Sequence, residues 1–147
     1  MFNKSMIEAL KALLIDQYAL YFKTQNYHWN VQGPEFSSLH LLFEEQYQDL
    51  AISIDTIAEL IRGLGQKVPG LFALNSPYPK TSIKPPNEMA SASQMIEELV
   101  SDYLAVEKVL KVGLIEAEKI DDQVIADFII ERLTVCRKSL WKLRSSL

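Results

Sequence analysis

The sequence predicts an all-α fold, in which four long helices form a bundle with one long crossover between the second and third helices. Apolar residues recur every three to four positions along four long segments, with no β-type alternation and no internal repeat. Five of the six prolines fall in one connection, KVPGLFALNSPYPKTSIKPPN (67–87). A connection this long suits two helices that are not antiparallel neighbours. The 147 residues are expected to form a single domain, 1–147.

The first two helices are bounded by recognisable signals. The first is expected from Ser5, since Glu8 follows three residues later as in a capping box, to about Asn30, before the Gly33-Pro34 turn. The second is expected from about Phe36 to Leu64, with Gly65 as the C-terminal glycine. The core stripe of the first helix is predicted to comprise Ile7, Leu10, Leu14, Tyr18 and Tyr21. That of the second is predicted to comprise Leu39, Phe43, Tyr47, Leu50, Ile54, Ile57 and Ile61.

The crossover has room for one short helix, around Leu71 to Leu74. The third helix is expected from about Ser91, which starts a second S-x-x-Q capping box, to Lys119. Asp121 and Asp122 then precede a fourth helix that ends near Arg144.

The bulk composition narrows the class of protein. A chain with 48% hydrophobic and 23% charged residues is typical of a globular domain, not of a disordered one. A single cysteine, Cys136, excludes an internal disulfide framework and suits a reducing compartment. The N-terminal segment reads as an amphipathic helix instead of a signal peptide, and no apolar run is long enough to span a bilayer. A cytoplasmic protein without a membrane partner is therefore expected.

A second stripe on the second helix carries metal-ligand chemistry. At about 100° per residue it lies beside the core stripe and includes two alanines, Ala51 and Ala58, that would let another helix approach closely. A solvated acidic edge is the plain interpretation, but lysine and arginine, which usually share such an edge, are absent until Arg62. Its polar members form two pairs spaced four residues apart, each able to reach one point: His40 with Glu44, and Asp55 with Glu59.

The two pairs are too far apart to share a metal within one helix, since about 22 Å of helix axis separates them. Two copies packed antiparallel about a two-fold axis near Asp49-Leu50 would bring the first pair of one chain to the second pair of the other. The spacing therefore predicts metal sites between subunits. Exposed apolar residues on the far side of the helix also favour an oligomer, namely Leu42, Ile52 and Leu60.

His28 can join the first pair, because the Gly33-Pro34 turn folds the end of the first helix beside the start of the second. A lone histidine near a helix end is usually structural. In company with His40 and three carboxylates, we interpret His28 as a ligand.

Residues 26–44, NYHWNVQGPEFSSLHLLFE, and the following DTIAEL at 55–60 resemble the pattern of the Dps family (DNA-binding protein from starved cells), the dodecameric mini-ferritins. That pattern reads N-[YF]-H-W-x-V-x-G-P-x-F-x-x-L-H-x-x-F-E, then D-x-I-A-E-R. Weaker agreement covers SASQMIEEL at 91–99 and SLWKLRS at 139–145. The resemblance spans most of the chain and implies a ferritin-like four-helix bundle.

The resemblance also implies an activity, that of a ferroxidase that stores iron. Fe(II) would be oxidised, preferentially by hydrogen peroxide, and the ferric product would be kept in a hollow shell of twelve subunits, which limits oxidative stress. Carboxylates hold hard iron ions and imidazoles complete an open coordination sphere. The implied ligands are His28, His40 and Glu44 from one chain with Asp55 and Glu59 from the other.

Further roles implied by the resemblance are less specific. Trp29, beside His28, is a candidate electron donor, although packing at an interface is an equally good interpretation. The family's acidic pore at three-fold axes falls near the start of the fourth helix, where the plain interpretation is favourable charge at a helix N-terminus. The candidate pore residues are Asp122, Asp127 and Glu131.

Two positions depart from the family pattern, and neither removes an implied ligand. Leu60 stands where the pattern has arginine. Cys136 stands where many relatives have histidine, and we interpret it as a core residue.

The sequence is also compatible with two alternative functions. A DNA-compacting protein would use lysine-rich tails, yet only Lys4 precedes the first helix and the net charge is -4, so that twelve copies at -4 each would carry -48. DNA is therefore not expected as a partner. A helical scaffold without metal would bury unpaired carboxylates at a two-fold interface, which is costly.

Overall fold

The chain folds into four long helices, as the sequence predicts. A computed structural model describes residues 3–71 and 76–147, and this part of the chain contains no strand. Most of the short helix expected around Leu71 to Leu74 falls within residues 72–75, which lie outside the described residues. The helices are α1 (Lys4–Asn30), α2 (Phe36–Gly63), α3 (Ala92–Lys119) and α4 (Gln123–Arg144).

The start of α1 differs from the prediction. The side chain of Asn3 accepts a hydrogen bond from the backbone N–H of Met6 at 2.9 Å, so Asn3 is the cap and Ser5 lies inside the first turn. Asparagine caps a helix as well as serine does, and capping at Asn3 lengthens the helix. The predicted capping box of α3 is confirmed, because Ser91 and Gln94 each bind the other's backbone N–H.

The end of α2 is confirmed as a glycine stop. Gly65 has a φ of +87°, in the left-handed region that favours glycine. Its N–H donates to the carbonyl oxygen of Arg62 at 2.9 Å, and the N–H of Gln66 donates to that of Ile61 at 3.3 Å. These two bonds form a Schellman motif, which satisfies carbonyls that the helix end would leave open.

The direction of each helix follows from its side-chain contacts. Asn87, shortly before α3, donates its backbone N–H to the hydroxyl of Tyr27 at the end of α1, so α3 starts where α1 ends and runs antiparallel to it. Arg132 of α4 makes a bidentate ion pair with Asp49 of α2, with N–O distances of 2.7 and 3.0 Å. Since α2 folds back on α1 and α3 also runs antiparallel to α1, α2 and α3 are parallel. The crossover therefore runs along the bundle, from the end of α2 to the start of α3.

The core is largely the one predicted, with a correction at three tyrosines. The aliphatic residues and Phe43 of the two predicted stripes are buried. Tyr18, Tyr21 and Tyr47 are only half-buried. Tyr21 and Tyr47 meet edge to face at the seam between α1 and α2, with ring centroids 5.8 Å apart, where part of each ring stays accessible.

Polar residues buried on α1 tie the crossover and α3 to the bundle. Asp16 accepts hydrogen bonds from the hydroxyls of Thr81, at 2.7 Å, and Ser82, at 3.5 Å. Lys23 is almost fully buried and pairs with Asp102 of α3 at 2.8 Å. These contacts fix the crossover against α1, which also carries His28. Within residues 3–71 and 76–147, no helix combines the length and apolar character that crossing a bilayer requires.

Candidate metal centre

A tight turn brings the two histidines together. Gly33 has a φ of +116°, which favours glycine, and its carbonyl oxygen accepts a hydrogen bond from the N–H of Phe36 at 3.1 Å, as α2 begins. The end of α1 thereby folds back on the start of α2. As predicted, His28 lies beside His40, with nearly parallel rings whose centroids are 3.8 Å apart.

The histidines are held by a reciprocal pair of hydrogen bonds. Nδ1 of His28 lies 2.7 Å from the carbonyl oxygen of His40, and Nδ1 of His40 lies 2.7 Å from the carbonyl oxygen of His28. A carbonyl oxygen can only accept, so each Nδ1 must carry the proton. In the neutral imidazoles, each Nε2 then presents a lone pair, the state in which histidine binds a metal.

Aromatic rings surround the pair. Phe36 stacks on the ring of His40 at 5.0 Å, and Tyr47 meets the ring of His28 edge to face at 5.2 Å. His28 is only 6% exposed, whereas the adjacent Trp29 is 63% exposed. Sequence patterns placed Tyr47 in the core and gave Phe36 no role, because contacts between two helices do not follow from the periodicity of either one.

The carboxylates occupy two separate stretches of α2. Glu44 is half-buried and lies one turn after His40, next to the histidine pair. Asp55 and Glu59 are exposed, more than two turns closer to the C-terminus of the helix. In the described part of the chain no group of three or more His, Cys, Asp or Glu side chains comes close enough to hold a metal ion. The described chain thus keeps the predicted ligands in two separate groups.

Asp55 lies in a groove of about 530 Å³. Its lining comes from α1, from α2 including the alanine stripe, and from the crossover at Val68 to Leu71 together with Tyr78. The residues from the two helices are Leu14, Tyr18, Phe22, Ala51, Ile54, Asp55 and Ala58.

Two of the three apolar residues predicted to be exposed on α2 are less exposed than expected. Ile52 is 71% exposed, as expected, but Leu42 and Leu60 are half-buried against the core. The family pattern has arginine at position 60, and the packing of Leu60 against the core is a partial reason for the leucine found there.

The acidic residues at the start of α4 divide into two kinds. Asp122 is the N-cap, and its side chain accepts a hydrogen bond from the N–H of Ile125 at 3.0 Å. Asp127 and Glu131 are exposed, one turn apart. Capping accounts for Asp122, while the other two have no structural role within the described chain.

Cys136 lies in the core, as predicted. Its thiol donates to the carbonyl oxygen of Tyr103 at 3.3 Å, and burial raises its pKa to about 12. The thiolate that would bind a metal is therefore scarce at neutral pH.

Comparison with known proteins agrees with this architecture. Residues 7–147 match the family model described as Ferritin, a ferritin-like domain. The chain is 34% identical to DNA protection during starvation protein 2 of Bacillus anthracis over 145 residues, which cover 99% of this chain and 98% of that protein. It is 33% identical to the DNA protection during starvation protein of Brevibacillus brevis, covering 98% and 99%.

Solved structures give the same result. The Dps of Staphylococcus aureus superposes with a TM-score of 0.90 at 30% identity, covering 99% of this chain and 97% of that chain. The Dps of Vibrio cholerae, described as a member of a broad superfamily of ferritin-like diiron-carboxylate proteins, has a TM-score of 0.86 at 28% identity, covering 95% and 87%. With the family model, the sequence identities and the fold in agreement, this chain belongs to the Dps family of ferritin-like proteins.

Proposed function

We propose that the protein is a ferroxidase that oxidises Fe(II) with hydrogen peroxide, at sites shared between two chains, and stores the ferric product in a closed shell of twelve chains in the cytoplasm. Membership of the Dps family supports iron storage and protection in general terms. The oxidant, the shared sites and the dodecamer go beyond that membership.

The histidine pair is the observation that carries the proposal. Two stacked imidazoles whose Nδ1 protons are both committed to backbone carbonyls have both Nε2 atoms available for a metal. Glu44, one turn away, adds a carboxylate to this half of the site.

The division of the ligands supports a site between chains. Asp55 and Glu59 share no ion pair with any residue in the described ranges, although they are carboxylates on a stripe of alanines. A second α2, packed antiparallel across that stripe, would carry them to the His28–His40 pair of its partner. Fe(II) would then meet imidazole from one chain and carboxylate from both.

This ligand set suits iron as a substrate. Carboxylates bind Fe(III) more strongly than Fe(II), because Fe(III) carries more charge. They therefore make it easier for bound Fe(II) to lose an electron. Hydrogen peroxide accepts two electrons and two protons to give two water molecules. When two Fe(II) ions supply both electrons, no hydroxyl radical is released. The relatives are named for protection of DNA, and we propose that protection here comes from this removal of Fe(II) and peroxide.

A matched pair of adjacent glutamates on α2 tests the activity. Glu44→Gln removes the charge from a proposed ligand, whereas Glu45→Gln removes the charge from an exposed residue that pairs with Lys142 at 2.8 Å. Two Fe(II) ions per interface are added without oxygen, peroxide is then added, and the absorbance of the ferric product is followed. We expect Glu44→Gln to slow oxidation by about tenfold or more, and Glu45→Gln to leave it unchanged.

Two results would count against this function: no peroxide-dependent oxidation by the wild-type protein, or equal rates for the two variants. The mass of the protein in solution, measured by light scattering, tests the shell. A stable monomer at neutral pH would contradict both the shell and the shared site.

A further inference from the structure

Aromatic side chains form a continuous series of ring contacts that begins at His28. The ring of His28 meets Tyr47 at 5.2 Å between centroids, and Tyr47 meets Tyr21 at 5.8 Å. Tyr21 meets Phe22 at 5.4 Å, and Phe22 stacks on Tyr18 at 5.8 Å. We call Tyr47, Tyr21, Phe22 and Tyr18 the aromatic chain. It runs along the seam between α1 and α2.

The aromatic chain ends in the groove that contains Asp55. Tyr18 and Phe22 line that groove from α1, and Asp55 lines it from α2. In the proposed function, His28 and Asp55 of one chain belong to two different iron sites of the same interface. Their ligand pairs on α2 are about 22 Å apart along the helix axis. The aromatic chain thus connects one half-site to the other within a single subunit.

The composition of the seam is unusual for simple packing. Elsewhere the buried apolar residues of α1 and α2 are mostly leucine and isoleucine. Three of the protein's six tyrosines nevertheless line the seam, and all three are half-buried. Tyrosine can give up an electron where leucine cannot. Partial exposure would let a phenol pass its proton to water on oxidation and recover it on reduction.

We propose that the aromatic chain carries one electron between the two iron sites of an interface, so that one Fe(II) in each site serves one peroxide molecule. The proposal rests on the proposed function. Electron tunnelling falls off exponentially with distance, so several short steps between rings less than 6 Å apart are far faster than one step of about 22 Å. Phe22 serves as a bridge between oxidisable tyrosines.

The electrons and protons balance. Peroxide at one site takes one electron from its own Fe(II) and one from Tyr47, and with two protons from water it becomes two water molecules. Tyr47 releases its phenol proton to water and becomes a neutral radical. An electron from the Fe(II) of the second site, passed through Tyr21, reduces Tyr47, which takes a proton back. The sum is two Fe(II) and one peroxide, with two protons, giving two Fe(III) and two water molecules.

A spectroscopic experiment on the assembled protein tests the relay. Fe(II) is bound without oxygen at one ion per interface, on average, or at two, and peroxide is added before rapid freezing. In the wild type, electron paramagnetic resonance should show a tyrosyl radical at one ion per interface, and little radical at two. Tyr47→Phe should remove that radical and slow oxidation at two ions per interface by at least about tenfold, with Fe(II) binding unchanged.

Tyr103→Phe is the matched control, because Tyr103 is a buried tyrosine outside the aromatic chain, and it should behave as the wild type. If Tyr47→Phe does not assemble, Tyr21→Phe tests the next step, since Tyr21 does not touch a histidine: the Tyr47 radical should still form, but it should persist at two ions per interface and oxidation there should be slow. Wild-type rates in either variant, or a wild-type radical yield in Tyr47→Phe, would overturn the relay but leave the proposed function intact. A wild-type protein without peroxide-dependent oxidation would overturn both.

Discussion

Asp16 shows how a single residue can differ from its sequence pattern. On the sequence it reads as part of the polar face of an amphipathic helix, yet it is only 4% exposed. Burial raises the pKa of its carboxyl group, while hydrogen bonds from Thr81 and Ser82 act against that rise. The partners come from the crossover, and no local pattern indicates which loop residue will reach a helix.

Replacing Thr81 with valine tests this anchor. The variant removes the hydroxyl that donates to Asp16 at 2.7 Å and leaves a buried carboxylate oxygen without that partner. We expect the free energy of unfolding at neutral pH to fall by about 1–3 kcal/mol. The bond favours the ionised form, so the loss should be largest above the pKa of Asp16 and should shrink as the pH falls through it.

Urea unfolding at fixed protein concentration between pH 7 and pH 4 measures this effect. Thr81→Ser keeps the hydroxyl and is the matched control. A loss for Thr81→Val that does not depend on pH would show that the bond to Asp16 is not its cause, and would assign it to the bond that the Thr81 hydroxyl accepts from the N–H of Ile83 at 3.1 Å.

The histidines illustrate what a motif can predict. The spacing of His28 and His40 around Gly33-Pro34 is sufficient to bring them together, and the structure confirms that they meet. Their reciprocal bonds to each other's carbonyl oxygens were not predictable, because those bonds depend on the angle between two helices. The contact of Tyr47 with His28 has the same origin.

Among the elements, helix ends were the most predictable. Ser91, Gly65 and Asp122 act at helix ends as their residue types indicate. The prediction that Ser5 caps α1 was wrong, because Asn3, two residues earlier, is the cap. A capping pattern alone does not rank two candidates. The prediction that Leu42 and Leu60 are exposed was wrong, because the periodicity of α2 does not show how far the neighbouring helices extend over it.

The start of α4 carries a prediction about iron uptake. Asp122 caps the helix, so a test of a pore must leave it in place and change Asp127 and Glu131. If three copies of these residues surround a pore, their field should concentrate Fe(II) there. Asp127→Asn with Glu131→Gln should slow iron uptake about tenfold at low ionic strength, and less as salt screens the attraction.

The matched control for this prediction is Glu8→Gln with Glu88→Gln. These two exposed residues lie on other parts of the chain, and their replacement changes the net charge by the same amount. Uptake is followed by ferric absorbance with iron in excess over the sites. Equal slowing by both double variants would assign the effect to net charge, and no slowing would assign Asp127 and Glu131 to a solvated surface.

At the scale of the whole molecule, one chain does not bring the predicted ligands together. The two predicted ligand pairs of α2 lie about 22 Å apart, and the described residues contain no group of three or more side chains that could hold a metal ion. The family and the helical bundle could be predicted from residues 26–60 and from the long crossover. The shape of a surface that a second chain would have to match, such as the groove beside Asp55, could not be predicted, because it depends on how α1, α2 and the crossover pack.

Complementation between two inactive variants tests the shared site most directly. His40→Ala removes a ligand from one half-site and Asp55→Ala from the other, so each variant alone should lose tight Fe(II) binding and fast oxidation. In a mixed pair, the intact histidines of one chain meet the intact carboxylates of the other at one of the two sites.

The measurement is anaerobic Fe(II) binding, followed by oxidation with peroxide, after equal amounts of the variants have exchanged subunits. Random pairing gives mixed interfaces in about half of all cases, so about a quarter of the wild-type sites should return. Recovery near that fraction is the predicted result. No recovery, in assemblies shown by mass spectrometry to contain both variants, would contradict a site shared between chains.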